Sequence, residues 1–213
     1  MSVITHVWYA SYGSNLAAQR FGCYLHGGRP EGARRIYPGA RNSAPPSDSR
    51  AVRMDGRLFF GWESPTWGGG VAFLDTAADG HVLGRAYRIT GEQFADVVAQ
   101  EMRREPGADL DLPALLDRRL LVLGDGRYET MLVVGTIDDE MVVTFTCPSG
   151  PARPVINAPT APYLAMVARG LAETHQLSEP DVVDYLGAAP GVAGTWPVAD
   201  LTAVVNEAVG VRD

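Results

Sequence analysis

The chain has 213 residues, 46% of them hydrophobic and 20% charged, with a formal net charge of −7. That is enough for one well-buried globular domain and is not a disordered composition. The acidity argues against a general nucleic-acid surface, and no apolar run reaches the length of a membrane span.

In chain order, His6 to Tyr12 is dense in aromatic and β-branched residues and reads as a strand. It runs into Tyr12-Gly13-Ser14-Asn15-Leu16, where Gly13 supplies a turn and Ser14 or Asn15 can cap a helix beginning near Leu16. A strand, a tight turn and a helix start leave backbone N–H groups pointing one way. That setting attracts a carboxylate or a developing oxyanion, although an ordinary capped turn has the same pattern. Residues 27–49 are rich in Gly, Pro, Arg and Ser, with a short strand expected near 33–38 and then a loop. Arg29, Arg34, Arg35 and Arg41 make this stretch basic, either as a solvated loop face or as an attraction for an anionic group. Residues 58–62, 71–74 and 81–89 read as strands, separated by a glycine turn at 67–70 and a turn at 77–80.

Thr90 suits the N-cap of a helix that runs to about Arg104 and stops before Pro106. A short helix is expected over 112–119, with Pro113 in its first turn, then strands over 128–134 and 140–145. A proline-rich loop follows from Cys147, and helices are expected over 162–175, 179–186 and 201–209. The strands come first and are joined by turns too short for helical crossovers. The fold class is therefore α+β with a largely antiparallel sheet. Residues 1–187 read as one domain and 188–213 as a helical extension packed on it.

Two cysteines, Cys23 and Cys147, make no disulfide framework, and no basic stretch followed by an apolar signal core opens the chain. A soluble protein of the reducing cytoplasm is expected. The histidines His6, His26, His81 and His175 are scattered, so no metal site is expected. Gly68-Gly69-Gly70 lacks the Lys-Ser/Thr of a phosphate loop, so no nucleotide cofactor is expected either. Gly13-Ser14-Asn15 lacks the flanking glycines of a hydrolase nucleophile elbow. Ser14 as nucleophile would need a base such as His81 or His175.

The helix after Thr90 places Phe94, Val97, Val98, Glu101 and Met102 along one stripe, with Glu92, Asp96 and Arg103 able to point to water. A carboxylate on that stripe is partly desolvated and faces the negative end of the helix dipole. Both effects make Glu101 a better proton acceptor. The alternative is a glutamate at the stripe's edge that reaches solvent or pairs with Arg104 or another nearby cation. Glu105, beside Pro106, reads as a surface residue.

Several stretches together resemble the γ-glutamylcyclotransferase-like superfamily. They are Tyr12-Gly-Ser-Asn-Leu16, Trp67-Gly-Gly-Gly-Val-Ala72, Gly84-Arg-Ala-Tyr-Arg-Ile89 with a helix ending in Gln100-Glu101, and more weakly Pro162-Tyr163 with Gly170 and Leu177. The resemblance spans about residues 7–187. It implies a small mixed, largely antiparallel barrel or sheet flanked by helices. It places Glu101 as general acid/base, with Tyr12, Gly13, Ser14, Asn15, Leu16 and Tyr163 binding substrate. It implies cyclisation of a small γ-glutamyl compound to 5-oxoproline and a released amine or amino acid. Met102 stands where the family usually has Gly, residues 102–120 form a longer and more helical link, and Phe145 sits where some members carry a pocket tyrosine. These departures leave open a binding module for a small amino-acid-like metabolite, or an amide hydrolase using the same glutamate. No nucleic-acid or membrane partner is expected, and a homodimer is left open.

Overall fold

A computed structural model describes residues 4–149 and 153–210. Its central sheet has six strands: β1 (His6–Ser11), β2 (Asp48–Asp55), β5 (His81–Thr90), β6 (Leu120–Val122), β7 (Thr130–Ile137) and β8 (Glu140–Thr146), in the order β2-β5-β1-β8-β7-β6. All neighbours run antiparallel except β1 and β8, which are parallel. The sheet does not close into a barrel. A hairpin of β3 (Arg57–Gly61) and β4 (Val71–Asp75) forms a second, two-stranded sheet.

β1 is buried on both faces, so its two-residue alternation serves two cores. Trp8, Ala10 and Tyr12 point into a core shared with the β3–β4 hairpin and with α4 (Ala161–His175), α5 (Glu179–Gly187) and α6 (Val198–Gly210). Val7 and Tyr9 point into a second core with α1 (Ala18–His26), α2 (Gly91–Glu101) and α3 (Leu112–Arg118). Leu201, Val205, Ala208 and Val209 of α6 belong to the first core, so this C-terminal helix is integrated with α4 and α5.

Several elements differ from their sequence expectation. β2 lies where no strand was expected, because it is an exposed edge strand with little apolar alternation and gains its order by pairing with β5 along its length. Residues 33–38 form no strand, only a single bridge between Gly28 and Tyr37. The three-residue β6 also escapes periodicity, following directly where Arg119 (φ 58°) ends α3. α2 stops at Glu101 rather than Arg104. Met102 keeps an ordinary backbone (φ −78°), Arg103 turns left-handed (φ 59°), and the Arg104 amide donates back to the Ala99 carbonyl.

Thr90 caps α2 as expected, and Gln93 completes a capping box. Glu92 and Arg103 are exposed as expected, but Asp96 is not. Asp96 is 0% exposed. Its carboxylate accepts from the Arg41 amide at 2.8 Å, from Arg41 Nε at 3.0 Å and from the Gly107 amide at 3.2 Å. Gln93 donates to the carbonyls of Asn42 and Ala44, and Gln100 to that of Tyr24. Gln93 and Asp96 therefore anchor a strap of chain that crosses α2, and at Asp96 this replaces the water that amphipathic reasoning predicts.

Candidate active site

β1 ends at Ser11, and the chain turns through Tyr12 and Gly13 into a 3₁₀ turn, Ser14–Leu16, before α1 begins. No side chain caps either helical segment, so the expected capping by Ser14 or Asn15 is not made. Asn15 is committed elsewhere, and Gly13 is selected by close approach. A Cβ there would lie 2.9 Å from the Tyr163 hydroxyl and 3.4 Å from the Ala72 Cβ.

The turn forms one wall of a pocket that also receives Glu101, Tyr12 and Tyr163. The space in it open to the centres of water molecules is about 50 Å³, room for about four waters when one needs about 10–15 Å³ by that measure. Phe145 lines it too, as does Ser14, but no histidine does. His175 instead contacts the Gly84 carbonyl and His81 pairs with Asp55, so neither activates Ser14. Leu16 does not line the pocket. It is fully buried in the first core, where α4 presses on it at Gly170, and a Cβ on Gly170 would collide with Leu16 and with the Ala17 amide.

Glu101 is the last residue of α2 and half-buried. Its Oε1 accepts from the Tyr24 hydroxyl and from Asn15 Nδ2 at 3.4 Å, and Asn15 Nδ2 also reaches the Tyr9 hydroxyl at 3.2 Å. Arg104 pairs with Glu129 instead, so the alternative partner proposed for Glu101 is taken. Two arginines cover the helix end. Arg35 Nη1 donates to the Gln100 carbonyl at 2.9 Å and Arg127 Nη2 to the Glu101 carbonyl at 3.2 Å. These cations offset the dipole that sequence reasoning sets against a charged Glu101.

Behind Tyr24 stands Arg20, 2% exposed. Its Nη2 donates to the Tyr37 hydroxyl at 2.8 Å and the Tyr24 hydroxyl at 3.3 Å, and its guanidinium carbon lies 4.5 Å and 4.6 Å from those two ring centres. Burial works against its charge, but Tyr24, Tyr37 and Glu101 outweigh that and hold it above the ordinary arginine value. Among the described residues, Arg20 Nε and Nη1 and Asn15 Oδ1 have no partner.

The remaining pocket phenols are spoken for. Tyr12 donates to the Phe145 carbonyl at 2.7 Å, Tyr128 donates to the Ala72 carbonyl at 2.8 Å, and Tyr163 accepts from the Ala72 amide at 3.0 Å. Burial raises Tyr9, Tyr12, Tyr24, Tyr128 and Tyr163 above the usual phenol value, so all stay neutral. Among the described residues, Glu101 is the sole acidic side chain lining the pocket, and no His, Cys or Lys lines it. It is the one carboxylate there that could act as a proton acceptor.

No protein-family model matches the chain. Two solved structures superpose on nearly all of it. A gamma-glutamyl cyclotransferase does so with a TM-score of 0.53 at 15% identity, over 95% of this chain and 99% of that one. An uncharacterized protein from Homo sapiens does so with a TM-score of 0.53 at 16% identity, over 93% and 99%. The chain has the γ-glutamyl cyclotransferase fold. A sequence relative is histone deacetylase 5 of Arabidopsis thaliana, 35% identical over 203 residues that cover 86% of this chain and 30% of that protein. The chain thus spans less than a third of that relative's length.

Arg20, Tyr24, Tyr37 and Arg127 line the candidate pocket and were not singled out from the sequence. For two of them a signal exists. Ala17, Arg20, Phe21 and Tyr24 follow helical three- and four-residue steps, so Arg20 interrupts an apolar stripe as Glu101 does.

Proposed function

We propose that this chain is an enzyme of the γ-glutamyl cyclotransferase type that converts a small γ-glutamyl compound into 5-oxoproline and a free amine or amino acid. The observation that carries this reading is Glu101, the one acid lining the pocket among the described residues, held by Tyr24 and Asn15 beside the Gly13–Asn15 turn. The substrate's α-ammonium group gives one proton to water and becomes a nucleophilic amine. Its nitrogen attacks the γ-carbonyl carbon, a C–N bond forms, and Glu101 takes the second proton. The tetrahedral intermediate collapses as the original C–N bond breaks, and Glu101 returns that proton to the leaving nitrogen. No water is consumed. Ring closure is intramolecular, so a pocket that holds the substrate folded supplies much of the rate. The Gly13, Ser14 and Asn15 amides, with Tyr12 and Tyr163 as walls, serve a carboxylate or the developing oxyanion. Leu16 has a packing role in this scheme.

The test is incubation with a panel of γ-glutamyl amino acids, peptides and amines, with 5-oxoproline measured by mass. Formation of the dehydrated ring that disappears in Glu101→Gln is the expected result. Free glutamate in its place reassigns Glu101 to activating water. Saturable binding with every compound recovered intact reassigns the chain to a binding module.

A further inference from the structure

Beside the pocket lies a second, more open cleft lined by Arg34, Arg35, Arg103, Pro65 and Thr66, and Thr66 lines the Glu101 pocket as well. Arg127 stands on the pocket side of this junction, its guanidinium stacked 4.2 Å over the Trp62 ring. Among the described residues none of these four arginines forms an ion pair with a carboxylate, unlike Arg41, Arg50, Arg85, Arg88, Arg104, Arg153 and Arg169; Arg20, Arg29, Arg53, Arg57, Arg118 and Arg119 also lack one, but the four are set apart by being gathered at one junction. The protein carries a net charge of −7, so a carboxylate partner would be easy to supply. Grouping uncompensated cations instead costs mutual repulsion. Burial and the charges of Arg127 and Arg35 indeed press Arg103 below the usual arginine value. Arg35 and Arg127 spend N–H groups on the carbonyls that end α2. Arg34 and Arg103 are exposed, and among the described residues their guanidiniums have no hydrogen-bond acceptor.

We infer that this arginine cleft binds the departing portion of the substrate and that this portion carries two carboxylates, as in a γ-glutamyl compound of aspartate or glutamate. The inference rests on the cyclotransferase reading for which end of the substrate reacts. The scissile bond sits at Glu101, and the chain beyond it passes Thr66 into the cleft. Each uncommitted guanidinium, Arg34 and Arg103, takes one carboxylate through its planar pair of N–H donors. In an acidic protein the cleft is also a local positive focus that draws an anion to the pocket mouth.

The experiment compares γ-glutamyl-glutamate, γ-glutamyl-alanine and γ-glutamyl-alaninamide on the wild-type protein and on Arg34→Gln/Arg103→Gln. The expected kcat/KM order is dicarboxylate over monocarboxylate over amide. About tenfold should separate the ends, since an exposed pair contributes only a few-fold. The preference should appear in KM, shrink with added salt, and collapse to about twofold or less in the double variant, with the alaninamide rate unchanged. Equal rates in the wild-type protein, or a preference that survives the double substitution, overturn the inference. Calorimetric binding of the same compounds to Glu101→Gln, with and without the two arginine substitutions, reads the cleft without turnover. A binding preference lost with the arginines supports the cleft even where no 5-oxoproline is formed by the wild-type protein. Equal binding overturns it even where cyclisation is confirmed.

Discussion

Tyr24→Phe separates the orientation of Glu101 from the stability of the fold. The Tyr24 ring is 1% exposed, and phenylalanine fills its place with no change in apolar packing or in the ring face under Arg20. What is lost is one hydroxyl that donates to Glu101 Oε1 and accepts from Arg20 Nη2 at 3.3 Å. A hydrogen bond to a charged group contributes about 1.5–3 kcal/mol. Water in the pocket can replace the Glu101 partner in part, and Arg20 keeps the shorter bond to Tyr37. The net cost is therefore about 2–3 kcal/mol, read from urea unfolding. Glu101 retains only the 3.4 Å contact from Asn15, and a carboxylate displaced by about 1 Å loses up to about a hundredfold in rate. We expect kcat for 5-oxoproline formation to fall ten- to a hundredfold, roughly, with KM little changed. The control is Tyr37→Phe, which removes the stronger Arg20 bond at 2.8 Å without touching Glu101. It should cost similar stability and far less kcat. If the two variants lose activity in step with their stability, Tyr24 does not orient the base and the reasoning is refuted.

Glu101→Gln should lower turnover by about a hundredfold or more. It should also destabilise by about 1–2 kcal/mol, because charge-assisted bonds from Tyr24 and Asn15 become neutral ones; a denaturation midpoint equal to or above wild type contradicts this. Glu105→Gln, at an exposed position, should alter neither quantity. Gly170→Ala drives a methyl into Leu16 and the Ala17 amide and should cost about 3 kcal/mol by thermal or urea unfolding, with activity lost as the 14–17 turn shifts; unchanged stability would show that α4 does not press on the turn. His175 is half-buried, and burial lowers its pKa below the usual imidazole value. Protonation therefore favours the unfolded chain. Stability is full above the unfolded value of about 6.5 and falls as pH drops below it towards the lower folded value. His175→Gln should flatten the slope of unfolding free energy between about pH 7 and pH 5, and an unchanged slope rejects this origin.

The strongly patterned elements were legible from sequence: β1, β4, β5 and α2 carry the β-branched or helical periodicity and the Thr90 cap that define them. β2 was not, because its order comes from pairing with β5 and leaves most of its side chains in water. The burial of Asp96 was not either, because its partner Arg41 is 55 residues away. At the site, Glu101 could be singled out because it broke an apolar stripe. Arg20 broke one too, but its meaning depends on Tyr37, which a loop brings back across α1. Leu16 was misplaced for the opposite reason. It belongs to the motif by sequence, but the residue of that turn that faces α4 must be apolar to fill the first core.

That two-sidedness explains how a short turn can hold the Glu101 carboxylate in place. On the inner side, Leu16 is clamped by α4 at Gly170. Between the sides, the Tyr87 hydroxyl donates to the Asn15 carbonyl at 2.8 Å and also lies 3.2 Å from the Leu16 carbonyl. On the outer side, the Asn15 side chain is left with one task, bridging Tyr9 and Glu101. The backbone of the turn is thus fixed by the core, and its polar face needs no rearrangement when charge develops opposite it. That is the property a preorganised site requires. The unpartnered N–H groups of Arg20 are consistent with such a site. A fold selected for stability alone would pair a buried guanidinium fully, whereas here its cation is kept one phenol away from the Glu101 carboxylate.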